Sequence, residues 1–301
     1  MAIIRKYSFP FFFILLFYSF ILLGCTSPIQ PATSSTPAGI PTPTENAPTV
    51  ETRPAQQNLL VIQCSQPGQI KQFEIQSEKL RNKLIFSVYF PPCYGNGKQE
   101  NYPVLFLLHG QTFDNTQWQR LGLLKVADQL VQSGHAIPFL VVMPYEQFYY
   151  RSPDGNTFPQ ALTDELIPWV ETNLHARSQK AWRAVGGISR GASWAVRLGL
   201  QQSNLFSSVG GHSLPTFNGD VKQLPNWLDA IPAGQAPRIY IDIGRSDPEV
   251  DTAIQFEHVL NQHAVLNEWH LNEGYHDENY WLLHIQEYLD WYTLSWQIHP
   301  D

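Results

Sequence analysis

This chain of 301 residues has only three cysteines and two methionines, and charged residues make up just 15 % of it. So few cysteines exclude a small domain knitted by disulfides, and no Cys/His group stands at metal-ligand spacing. Basic residues are scarce. There are 19 Lys and Arg against 26 Asp and Glu, a net charge of -7. That balance excludes the basic footprint a nucleic-acid partner requires. Internal repeats are missing as well. The apolar run from Phe11 to Leu23 matches a signal-peptide core and is short for a membrane span.

What the N-terminus does contain is an address. Arg5 and Lys6 precede the apolar run, which ends in Leu22-Leu23-Gly24-Cys25. This resembles a bacterial lipobox, so residues 1–24 are expected to be a lipoprotein signal peptide, with the lipid on Cys25. The alternative is an uncleaved N-terminal anchor. Both place the rest of the chain outside the cytoplasm, held to a bacterial membrane. Residues 25–58 are rich in Pro, Thr and Ser with few large apolar side chains. They cannot bury enough surface to offset their ordering entropy, and are expected to be a disordered tether. Residues 59–298 are long enough for one domain with a sizeable core. With Cys25 assigned to lipid, Cys64 and Cys93 are the remaining pair and are expected to be bridged in an oxidising compartment; two buried thiols are the alternative.

Within the domain, short apolar runs alternate with helix-periodic segments. Leu59–Gln63, Lys83–Phe90, Val104–Leu108, Phe139–Pro144, Ala181–Val185, Leu205–Val209, Arg238–Gly244 and Leu266–Leu271 read as strands. Trp118–Ser133, Phe158–Leu174 (with a kink expected at Pro168), Asp251–Ala264 and Glu278–Trp296 read as helices. Phe217–Ala236 reads as irregular. This alternation predicts an α/β fold, a doubly wound, mostly parallel sheet with helices on both faces and its site at the strand C-terminal ends.

Gly187-Ile188-Ser189-Arg190-Gly191 lies between a predicted strand and a predicted helix. Gly-x-Ser-x-Gly in that context bends the chain sharply and presents a serine hydroxyl above the sheet. The two glycines let strand and helix approach, and the Arg190 N–H at the helix start can bind a developing oxyanion. Ser189, Asp247 and His276 follow in the order nucleophile, acid, base. His276 is expected to relay the proton and Asp247 to orient its ring. Asp242 is the rival acid, but it lies inside a predicted strand, where it is expected to bond neighbouring backbone. His109 is the rival base, but it precedes the nucleophile. The Gln111 N–H, after His109-Gly110, is the candidate second oxyanion donor.

The globular part resembles the Putative esterase family of α/β hydrolases, which includes S-formylglutathione hydrolases, feruloyl and acetyl-xylan esterases, enterochelin-type esterases and bacterial mycolyltransferases. The resemblance rests on Val88-Tyr89-Phe90-Pro91-Pro92, Tyr102 to Gly110, the Ser189 turn, Ile243-Gly244-Arg245-Ser246-Asp247 and Gly274-Tyr275-His276-Asp277. It implies an α/β-hydrolase fold and a serine esterase acting on a small-molecule or carbohydrate-linked ester, by a mechanism expected to need neither a metal nor an organic cofactor. It also implies Ser189, Asp247 and His276 as the triad, with Gln111 and Arg190 as oxyanion donors. An acyltransferase with a sugar hydroxyl as acceptor, and a binding lipoprotein without turnover, are the rival readings. Trp118, His212, Tyr275 and Trp281 are candidates to line the substrate pocket, as are Trp194 and the aromatic loop Tyr145 to Tyr150. The sequence leaves the oligomeric state open.

Overall fold

The computed structural model describes residues 66–96 and 101–297. The expected leader and tether, Cys25, Cys64 and the strand read at Leu59–Gln63 lie outside the described residues. Among those residues the chain forms an eight-stranded sheet, β1 (Gln69–Ser77), β2 (Asn82–Phe90), β3 (Val104–Leu108), β4 (Leu140–Pro144), β5 (Arg183–Ile188), β6 (Ser208–His212), β7 (Arg238–Gly244) and β8 (Asn267–Asn272). Their spatial order is β1-β2-β4-β3-β5-β6-β7-β8. β1, β2 and β4 pair antiparallel, and every pair from β4 through β3 to β8 is parallel.

The side-chain alternation of β3 shows how the sheet is covered. Val104, Phe106 and Leu108 face one apolar layer, and Leu105 and Leu107 the other. The first layer lies under α3 (Phe158–Ala161), α4 (Ile167–Asn173), α5 (Arg190–Gln201), α6 (Asp220–Asp229) and α7 (Val250–Gln262). The second lies under α1 (Gln117–Arg120), α2 (Leu123–Gln132) and α8 (Glu278–Gln297). A strand buried on both faces has no polar side to show, which is why β3 and β4 read as unbroken apolar runs.

Four segments differ from the sequence pattern. The helix expected over Trp118–Ser133 is two helices, broken where Gly122 takes φ 87°. The helix over Phe158–Leu174 contains a π-helical stretch, Leu162–Leu166, just before Pro168. Proline has no N–H to continue the α-helical ladder, and the wider turn absorbs that break. Phe217–Ala236, read as irregular, contains α6, whose internal Pro225 hides it. The strand read at Leu205–Val209 instead runs Ser208–His212. Its two glycines, Gly210 and Gly211, argue against a strand by propensity, but packing requires the first. Gly186 of β5 and Gly210 of β6 sit side by side in register. A Cβ on either would overlap the hydroxyl of Tyr292 from α8.

Candidate active site

The turn from β5 into α5 bends sharply at a single residue. Ser189 takes φ 54° and ψ -120°, a conformation costly for any residue with a side chain. Two hydrogen bonds hold it there. The Ser189 N–H donates to the His212 carbonyl (2.9 Å), and the Ser189 carbonyl accepts from the Ser193 N–H (3.1 Å). Beside it, a Cβ on Gly187 would overlap the Gly191 backbone, and one on Gly191 the Leu108 carbonyl. Side chains at these two positions would push the turn away from the sheet. Arg190 begins α5, so its backbone N–H has no intrahelical acceptor.

Two further loops reach this turn. After β7, the carboxylate of Asp247 is buried, and its Oδ1 accepts the N–H of Glu249 (2.8 Å). After β8, the chain runs alongside the β7 loop. Arg245 N–H donates to the Asn272 carbonyl (2.8 Å) and Ser246 N–H to the Gly274 carbonyl (3.0 Å). A side chain at Gly244 would strike the Gly274 carbonyl, so glycine there lets the two loops meet. The result is a continuous chain. His276 Nδ1 donates to Asp247 Oδ2 at 2.7 Å, and the Ser189 hydroxyl lies 2.8 Å from His276 Nε2. The His276 side chain is 23 % exposed and that of Asp247 is fully buried. The imidazole thus meets solvent on one side and a shielded carboxylate on the other.

The loop after β3 supplies the fourth wall. A Cβ placed on Gly110 would lie 3.6 Å from the Ser189 Cβ, so this loop runs against the serine. Gln111 follows it, exposed, in a turn closed by Phe113 N–H to the Gly110 carbonyl (3.2 Å). Phe113 and Trp281 meet edge to face at 6.5 Å, and Trp281 meets the His276 ring edge to face at 5.4 Å.

The structure relocates several residues assigned to the pocket by sequence. Trp118 is buried under the sheet with its Nε1–H on the Leu108 carbonyl (3.2 Å), and lines no opening. Trp281 is also buried, its Nε1–H on Ser213 Oγ (2.9 Å), so it backs His276 rather than facing substrate. Trp194 packs against Phe217 at 4.6 Å within the core. His212 is fully buried because β6 begins later than the sequence pattern indicates, which draws His212 into the strand. Its Nδ1 donates to Asp242 Oδ1 (2.7 Å) and its Nε2 lies 3.0 Å from the Tyr292 hydroxyl. Asp242 therefore bonds side chains, not the neighbouring backbone expected of it. Its Oδ2 accepts from the hydroxyls of Tyr280 (2.7 Å) and Tyr288 (2.8 Å). Burial, then the Asp242 charge, raises the pKa of both tyrosines, so they stay protonated donors. Tyr275 is different: it is 65 % exposed and directly precedes His276 in the chain. In the aromatic loop, Tyr150 is exposed and packs against Tyr149 at 6.0 Å.

One buried network is not apparent from spacing. The Arg190 guanidinium grips Glu146 with two bonds, Nε to Oε2 (2.8 Å) and Nη2 to Oε1 (2.7 Å). Asn156 donates to the same carboxylate (2.6 Å), and the Glu146 N–H donates to His109 Nε2 (2.9 Å). The trace in sequence is an acid two residues beyond a buried strand.

The profile of the Putative esterase family matches residues 77–292. The chain belongs to that family. Among its relatives is an endo-1,4-beta-xylanase/feruloyl esterase of Xylanibacter ruminicola, 35 % identical over 155 residues, which are 48 % of this chain and 21 % of that protein. The chain thus matches about a fifth of that relative's length. A ferulic acid esterase superposes with a TM-score of 0.67 at 23 % identity, over 76 % of this chain and 98 % of that one. A feruloyl esterase module from Clostridium thermocellum complexed with sinapinate also gives 0.67, at 16 % identity, over 83 % and 96 %. At such identities the two structures establish the fold, and the fold is that of the α/β hydrolases.

Proposed function

We propose that this protein is a serine esterase that hydrolyses carboxylic esters of hydroxycinnamate type through an acyl-enzyme. One observation carries the reading: the unbroken Asp247–His276–Ser189 hydrogen-bond chain on a strained strand-to-helix turn. In this mechanism Ser189 Oγ attacks the ester carbonyl carbon while His276 Nε2 takes the hydroxyl proton. Asp247 keeps the ring in the tautomer with Nδ1 protonated and stabilises its cation. The backbone N–H groups of Arg190 and Gln111 receive the tetrahedral oxyanion. His276 then returns the proton to the departing alkoxide, leaving an acyl-serine. Water, deprotonated by the same imidazole, attacks that ester, and collapse releases the acid and restores Ser189.

The substrate class comes from the relatives' names together with Phe113 and Tyr275, which flank the opening. Part-exposed aromatic faces suit a planar aryl acid better than a long flexible chain. Lipid attachment at Cys25, outside the cytoplasm, belongs to the same proposal, as does a Cys64–Cys93 bridge that ties the chain ahead of β1 to the turn after β2. Ser189→Ala should lower turnover of a feruloyl ester and of p-nitrophenyl acetate on the order of 10⁴-fold or more, without change in the far-ultraviolet spectrum. Turnover above about a tenth of the wild type would overturn the nucleophile assignment. Absence of label from a radioactive fatty acid in the exported protein would overturn the lipid, and two free thiols there would overturn the bridge.

A further inference from the structure

His109 stands beside the site without belonging to its proton relay. Its ring is buried, and both nitrogens are engaged away from Ser189. Nε2 faces a backbone N–H, that of Glu146, so it must be the unprotonated acceptor. Nδ1 therefore carries the hydrogen and donates it to the Gly110 carbonyl at 2.7 Å. The Phe113 N–H donates to the same carbonyl. A trans peptide is planar, with its C=O and N–H pointing opposite ways. Two donors that hold the Gly110 carbonyl on one side thus fix the Gln111 N–H on the other. On the preceding peptide, the Gly110 N–H is held by Gln117 Oε1 at 2.8 Å. The turn resists this arrangement, because Thr112 takes φ 67°, which β-branched residues rarely adopt. Something must hold it, and His109 is the buried side chain in place to do so.

The same histidine reaches the second donor. Through Nε2 it is bonded to the Glu146 backbone, and the Glu146 carboxylate grips the side chain of Arg190. One buried chain of bonds joins the loops that carry both oxyanion donors. We infer that His109 is a positioning residue for the oxyanion hole, setting the direction of the Gln111 N–H through the Gly110 carbonyl. This inference rests on the serine esterase reading. Burial lowers the His109 pKa to about 4, so the ring stays neutral in the required tautomer across the neutral range.

The experiment separates the two nitrogens. Asparagine places a donor where Nδ1 lies, and glutamine places an acceptor where Nε2 lies. His109→Asn therefore keeps the bond to Gly110, and His109→Gln loses it. Each is assayed on an aryl oxoester and on the matching thionoester, whose sulfur accepts hydrogen bonds poorly and gains little from an oxyanion hole. In His109→Gln, oxoester kcat should fall on the order of 10- to 100-fold with KM within about threefold, while thionoester kcat barely moves. His109→Asn should restore most of the oxoester rate. Merely structural damage would lower both substrates together; that result, or an unchanged oxo/thiono ratio, overturns the inference and leaves the esterase reading standing. If wild type and Ser189→Ala are equally active, the reading itself fails and the inference falls with it. Should His109→Gln not fold, His109→Met, which fills a similar volume and offers no donor to the Gly110 carbonyl, takes its place. The same collapse of the ratio is expected, and its absence overturns the inference.

Discussion

Two histidine–aspartate pairs lie at neighbouring strand ends, each closed by an Nδ1 to Oδ bond of 2.7 Å. His276–Asp247 sits on loops above the sheet, with Ser189 Oγ at 2.8 Å from the free nitrogen. His212–Asp242 sits within β6 and β7, with the Tyr292 hydroxyl at 3.0 Å from its free nitrogen. The pairing is the same in both, and the surroundings differ. The first imidazole touches solvent and a hydroxyl strained into reach. The second is stacked on Tyr288 at 3.7 Å and sealed by tyrosines that hold Asp242. An orienting carboxylate does not by itself make a histidine a base. Access for substrate and a nucleophile on the far nitrogen do that. The buried pair serves instead to pin α8 to the sheet beneath the loop that carries His276.

The comparison can be broken at either carboxylate. Asp247→Asn should depress kcat on the order of 10³- to 10⁴-fold with KM nearly unchanged, because the favoured tautomer is then the wrong one. Steady-state kinetics on a p-nitrophenyl ester checks this. Asp242→Asn should do the reverse. It leaves a buried histidine and two tyrosines poorly matched, so urea unfolding should show a loss on the order of 3 kcal/mol, with kcat within about tenfold. If Asp242→Asn proves the worse for catalysis in folded protein, the roles of the two pairs are exchanged.

A third histidine sharpens the contrast, because His109 is buried with no carboxylate partner on its ring. It is neutral when folded down to pH about 4, while an unfolded histidine titrates near 6.5. The unfolded chain therefore binds the extra proton first as pH falls. Stability is complete above about pH 6.5 and declines between about 6.5 and 4. Between pH 7 and 4.5 the wild type should lose about 2–3 kcal/mol more than His109→Asn in urea titrations. Equal losses would show that His109 is not held neutral. The smallest effect is expected at Tyr292→Phe, which removes only the hydroxyl facing His212 Nε2. It should cost about 1–2 kcal/mol in a melt and leave kcat unchanged.

Much of the site is legible in sequence because its parts are local. Gly187 and Gly191 mark a bend only a closely packed backbone can make, and Asp247 and His276 each follow a readable strand. The error at His212 has one cause, a misjudged strand start. Gly210-Gly211 read as a loop because glycine is poor in strands, and that placed His212 at an edge when it belongs to the core. The need for glycine came from Tyr292, eighty-odd residues away, a distance no local pattern spans. β1 escaped notice for a related reason: an edge strand has few buried positions, and Gln, Lys and Glu dilute its alternation.

By itself, the sequence determined the order of strands and helices, the serine at a forced bend, and which acid and which histidine end their strands nearby. Those are properties of short segments, set by side-chain period and by glycine at tight turns. Only the tertiary structure decided which aromatic rings face solvent and which lie beneath the sheet. It alone brought His109, Glu146 and Arg190 into one network, and it set one histidine–aspartate pair against a serine hydroxyl and solvent while sealing the other among tyrosines. Burial and hydrogen-bond partnership arise between segments distant in sequence, and they exist once the sheet has brought those segments together.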